Sequence, residues 1–165
     1  MAKNDSLDIL KQAILLEKRG ESFYRIAADQ SDNDDVKSFF ETMAREEINH
    51  VKILSDQFKA VAEGGKFKAI ESSETGTVSK HVLTPQVKDR ISAADFEAAA
   101  ISAAMLMEAR AISLYTERAK AAQDPEEKKL YRWLADWETE HLDFLAAIDN
   151  DLKERIWNDS GFWPF

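Results

Sequence analysis

Two short stretches place chemistry where packing is expected. Residues 46–50 read "EEINH", and residues 138–141 read "ETEH". Around the first, Phe39, Phe40 and Met43 precede, and Val51, Leu54 and Phe58 follow, so an apolar helical stripe runs into Glu47 and His50. Three residues of α-helix advance about 300°, which leaves positions i and i+3 on one face. Glu47 and His50 can therefore reach one point, and so can Glu138 and His141. A carboxylate and an imidazole converging in an apolar seam are metal-ligand types.

The pairs belong to a longer repeat. Sliding the chain on itself by 91 residues brings Glu17 onto Glu108, Tyr24 onto Tyr115, Glu47 onto Glu138 and His50 onto His141. Seam neighbours match in kind: Leu10 with Ile101, Ile14 with Met105, Phe40 with Tyr131, Met43 with Leu134, Leu54 with Leu145. One helical hairpin is written twice. Seven residues return to within about 20° of the start, so Glu17 and Tyr24 share an inward stripe, as do Glu108 and Tyr115.

Four inward carboxylates need partners, because desolvation costs several kcal/mol per ion. These seams contain no lysine. Two divalent metal ions would balance four carboxylates, and two neutral imidazoles would leave that sum unchanged. The donor types suit iron or manganese. Helical bundles that hold two such ions use one Glu from each of two helices and Glu-x-x-His from each of the other two. The expected ligands are thus Glu17, Glu47, His50, Glu108, Glu138 and His141.

Four helices must position these residues, expected over about 6–29, 34–63, 92–122 and 125–152. "SDNDD" at 31–35 offers caps for the second, and Gly64-Gly65 ends it. "SAAD" at 92–95 resembles a capping box for the third. Asp124 is placed to cap the fourth, with Pro125 at its first position and two Glu in its first turn. Short links within each pair imply antiparallel neighbours. The polar connection 64–91 implies a crossover, which gives an all-α four-helix bundle in a single domain. The aromatic tail 153–165 is expected to pack on the bundle or on a partner.

Composition narrows the function classes. Net charge is −9, which argues against nucleic acid, since phosphate binding needs clustered Lys and Arg. With no Cys, disulfides, thiol catalysis, thiolate zinc sites and iron–sulfur clusters are excluded within these 165 residues. No secretory pattern opens the chain, and no run suggests a membrane span, so a cytoplasmic location with no membrane partner is expected.

"LEKRGESFY" with "REEINHVKIL", and "LMEARAISLY" with "DWETEHLDFL", resemble the ferritin-like superfamily, specifically its rubrerythrin-like members. The resemblance covers about residues 6–152. It implies a ferritin-like bundle with two Fe ions per chain, or Mn. Glu47 and Glu138 would bridge, Glu17, Glu108, His50 and His141 would be terminal ligands, and Tyr24 and Tyr115 would orient ligand carboxylates. Two departures stand out: there is no Cys-ligated rubredoxin-type iron domain here, and Ala111 occupies the position where rubrerythrins usually carry an extra Glu.

The implied activity is that of an oxidoreductase: redox chemistry with O2 or hydrogen peroxide, fed by an external electron donor, in a homodimer or higher homo-oligomer. Ferroxidase-coupled iron storage and a di-iron hydroxylase are the alternatives, and a metal-free bundle with a buried polar network is the plain one. For the two Tyr, packing alone is the alternative. Beside the ligands, Glu46 and Glu140 are expected at the surface, Glu21 at the periphery and His81 in a solvated loop. Trp133, Trp137, Trp157 and Trp163 are assigned to packing or dimer contacts, Met105 and Met107 to core filling.

Overall fold

The computed structural model describes residues 3–70 and 95–159. Among the described residues there are four helices: α1 (Lys3–Gln30), α2 (Asp34–Gly64), α3 (Asp95–Ala121) and α4 (Pro125–Asp159). No strand occurs among the described residues. α1 packs along α2 and α3 along α4, with a slighter contact between α1 and α3. The expected antiparallel hairpins and all-α four-helix bundle are both present.

Local chemistry accounts for three of the helix ends. Asn33, in extended conformation, accepts hydrogen bonds from the N–H groups of Asp35 and Val36 at 3.0 and 3.3 Å, which starts α2. Gly65 ends it: its φ of 70° lies in the left-handed region, and its N–H donates to Val61 O at 2.9 Å. Asp124 Oδ1 accepts from the N–H groups of Glu126 and Glu127 at 2.8 and 3.2 Å, so α4 begins at Pro125 as its sequence implies.

Two boundaries differ from expectation. α1 begins at Lys3 instead of about residue 6, and α4 runs to Asp159 instead of stopping near 152. No Gly or Pro interrupts α4 between Pro125 and Gly161, and Leu152 is buried, so nothing ends the helix earlier. The connection beyond Ile70 with His81, the "SAAD" cap, the side chain of Trp157 and the tail from Ser160 lie outside the described residues. Just past α2 the chain is pinned: Gln57 donates to Lys68 O at 3.0 Å and accepts from Lys68 N at 2.9 Å.

The core is divided by the polar seam. One apolar cluster joins Tyr24, Phe39, Phe40, Met43, Ile101, Leu145 and Ile148. The other joins Leu10, Leu54, Val61, Tyr115, Leu130, Tyr131 and Leu134. Repeat mates fall in opposite clusters, Leu10 against Ile101 and Leu54 against Leu145, so the hairpins are related by a pseudo-two-fold through the middle of the bundle. A buried network at one end ties three helices: Arg118 on α3 donates through Nε to Glu127 Oε1 on α4 at 2.9 Å, with Ser6 of α1 alongside. By length and hydropathy alone, Phe96–Ala121 could cross a membrane, contrary to the expectation that no segment approaches this. Its inward face is committed to the bundle, because Ala100, Ile101, Ala104, Glu108, Ala111 and Tyr115 are all buried.

Candidate metal centre

The polar seam closes on itself at the pseudo-two-fold. Glu17 comes from α1, Glu47 and His50 from α2, Glu108 from α3, and Glu138 and His141 from α4. All six are at most 3% exposed. Their donor atoms form two groups, Glu17, Glu47, His50 and Glu138 in one, Glu47, Glu108, Glu138 and His141 in the other. Within each group the atoms lie within 4.8 Å of one another, close enough to hold a metal ion. Glu47 and Glu138 belong to both groups.

Each imidazole turns Nδ1 toward the carboxylates. His50 Nδ1 lies 2.8 Å from Glu138 Oε1 and 3.1 Å from Glu17 Oε2. His141 Nδ1 lies 3.1 Å from Glu138 Oε2 and 3.8 Å from Glu108 Oε1. The rings are stacked, with centroids 6.0 Å apart. Tyr24 donates its hydroxyl to Glu108 and Tyr115 donates to Glu17, each reaching across to the other hairpin. The two tyrosines therefore hold the Glu108 and Glu17 carboxylates by hydrogen bonds, in addition to packing.

The electrostatics are those of a crowded anionic cluster. Burial works against the imidazolium form, yet the surrounding carboxylates hold both histidines above their ordinary range, His141 up to about 10 and His50 also well up. Burial, reinforced by Glu17 and Glu138, raises the Glu47 carboxyl, and burial with Glu138 raises that of Glu108. Glu138 goes the other way: despite its burial, the flanking imidazoles hold it well below the carboxylate range. Burial and then the partner carboxylates push both tyrosine hydroxyls up, so they stay protonated as donors.

These residues fit a pair of cations. The donor set is carboxylate and imidazole, ligand types that suit divalent iron or manganese. Buried Glu138 Oε1 sits 2.8 Å from His50 Nδ1 but, among the described residues, accepts no aligned hydrogen bond.

Glu46 is a correction. Expected at the surface, it is 2% exposed. Its Oε2 accepts from Trp137 Nε1 at 2.8 Å and lies 2.6 Å from His141 Nε2. Trp137 likewise does more than pack: its ring stands edge-on to His50, with centroids 4.7 Å apart. The signal was in the repeat, since Glu46 and Trp137 are mates under the 91-residue shift. Glu46 also adds a fifth buried carboxylate to the four counted from the seam. Glu140 is exposed, as expected, and Glu21 is peripheral, paired with Arg25 at 2.9 Å.

A cavity of about 200 Å³ opens between α1 and α3 and reaches Glu17, Glu47 and Glu108. Arg19 and Arg110, repeat mates and both exposed, line its mouth. Gly20 and Ala111, also mates, line it beside the carboxylates. A Cβ on Gly20 would stand 3.1 Å from Glu47 Cδ, so the bare backbone makes room for that carboxylate.

Neither the comparison with curated proteins nor that with solved structures returned a match. The scan against protein families did: the Rubrerythrin family model matches residues 8–149, which span both hairpins and all of these ligand-type side chains, so the chain belongs to the rubrerythrin family.

Proposed function

We propose that this chain is a non-haem di-iron protein that reduces hydrogen peroxide or O2 with electrons from an external donor. The single observation that carries the reading is the pair of donor groups sharing Glu47 and Glu138. Family membership suggests iron, and the donor chemistry also suits manganese. Glu17 and His50 would complete one position, Glu108 and His141 the other. Two Fe(II) ions bound there would supply the two electrons that a peroxide takes up.

The chain's own residues set the conditions. The two apolar clusters cover the site from both ends of the bundle. Tyr24 and Tyr115 fix the carboxylates of Glu108 and Glu17 by donating to them. The cavity between α1 and α3 offers a small reactant a path past Arg19 and Arg110 to the ligand carboxylates. A cytoplasmic location and a homodimer or higher assembly belong to the same proposal.

The test is anaerobic loading with Fe(II) followed by a pulse of peroxide. Oxidation of two irons per chain, with one peroxide consumed and a rise in near-UV absorbance, is expected. An unchanged spectrum contradicts the proposal.

A further inference from the structure

The ligands repeat, but what stands behind them does not. Position 46 carries a carboxylate and its mate, position 137, an indole. Across the pseudo-two-fold the two meet, and Trp137 Nε1 donates to Glu46 Oε2 at 2.8 Å. The same oxygen lies 2.6 Å from His141 Nε2, the nitrogen turned away from the ligand cluster. The equivalent nitrogen of the other histidine, His50 Nε2, is buried with no hydrogen-bond partner among the described residues. Beside the His50 ring stand the rings of Trp137 and Trp133, at 4.7 and 6.2 Å between centroids.

We infer that Glu46 makes the two metal positions unequal, so that the group of Glu47, Glu108, Glu138 and His141 takes its ion first and holds it more tightly. The inference rests on the metal reading above. A carboxylate that accepts a histidine's outer N–H fixes the tautomer, aims the lone pair of the other nitrogen at the metal and raises its basicity. His141 has such a partner. Among the described residues His50 Nε2 has no such partner, and the indole rings beside its imidazole supply no carboxylate. Glu46 therefore acts through His141 as a positioning residue.

A purely structural role accounts poorly for this carboxylate. Glu46 Oε1 is buried and accepts no hydrogen bond. A buried charge with one oxygen unanswered is a poor source of stability, and an apolar side chain would pack there at less cost. Facing an imidazole that leans on a cation, the charge has a purpose. Trp137 holds the carboxylate in line by donating to the oxygen that His141 uses.

The test is stepwise titration of the metal-free protein with Co(II), followed by its visible bands and by calorimetry. Wild type is expected to bind two ions in two steps, separated by about tenfold or more in affinity. Glu46→Gln keeps the size and an acceptor oxygen and removes the charge. It is expected to weaken the tighter step by about 10- to 100-fold and leave the weaker one, so that the steps merge. Trp137→Phe keeps the charge and a ring against His50 and removes only the donor that steadies Glu46, so the separation between steps should narrow less than in Glu46→Gln. Unchanged steps in Glu46→Gln, equal weakening of both, or loss of the separation in Trp137→Phe alone would each overturn the inference while leaving the two-metal site intact. Fewer than two ions bound by wild type overturns the metal assignment itself, and the inference with it.

Discussion

Gly20 stands in the interior of α1, where glycine is about 1 kcal/mol less favourable than alanine. Gly20→Ala should therefore stabilise the helix. Against this, the added Cβ would stand 3.1 Å from Glu47 Cδ and 3.3 Å from its Oε2, so the carboxylate must move a few tenths of an ångström. In the metal-free protein Glu47 can yield, since its side chain is held only by neighbouring side chains. With metal bound it cannot, because it belongs to both donor groups and coordination distances tolerate only about 0.2 Å. The two effects then have opposite signs in two assays. Thermal unfolding of metal-free Gly20→Ala should rise by up to about 4 °C, the equivalent of ~1 kcal/mol in a chain of this size. Metal affinity should fall by about tenfold, or ~1.4 kcal/mol, for both ions. A variant that gains stability and binds both ions as wild type does would refute the close approach as a constraint on the ligand.

Tyr24→Phe and Tyr115→Phe should each weaken metal binding by about 10- to 100-fold, because each removes the donor that orients one carboxylate. Their targets differ, so the double variant should lose close to the sum in free energy, and unchanged titrations would reduce both residues to packing. The metal-free protein should lose stability as pH rises above neutrality. His141 is raised to about 10 from an ordinary value near 6.5, so its contribution is complete below the lower value and disappears through the upper. The raised carboxyls of Glu47 and Glu108 act in the same direction, while the depressed Glu138 is already ionised across this window. An unfolding temperature that holds or rises between pH 7 and 9.5 contradicts this. Metal loading displaces the same protons, so weakly buffered protein should release acid on loading and bind more tightly at pH 8 than at pH 6.

The six-residue Glu/His cluster was legible because it obeys two periods at once, three residues within a helix and 91 between hairpins. Glu46 was not, because one residue along a helix is a rotation of about 100° off the seam. That turns it away from the apolar stripe of its own hairpin but toward Trp137 of the other, a contact that exists only once the hairpins pack. Identity under the repeat found the buried cluster, and a mismatch beside it marks Glu46, whose repeat mate is Trp137. Helix ends with a capping residue, Asn33, Gly65 and Asp124, agreed with their sequence signals. The end of α4 did not, because the sequence near 152 has no breaker and only a falling density of apolar residues. The cavity between α1 and α3 depends on how far apart two helices stand, and Gly20 and Ala111 give no hint of that in one dimension.

Metal counting tests the central claim most directly. Metal-free protein titrated anaerobically with Fe(II) should bind two ions per chain. Glu47→Ala and Glu138→Ala should each lose both, since either residue serves both donor groups. Retention of two ions by these variants would contradict the account.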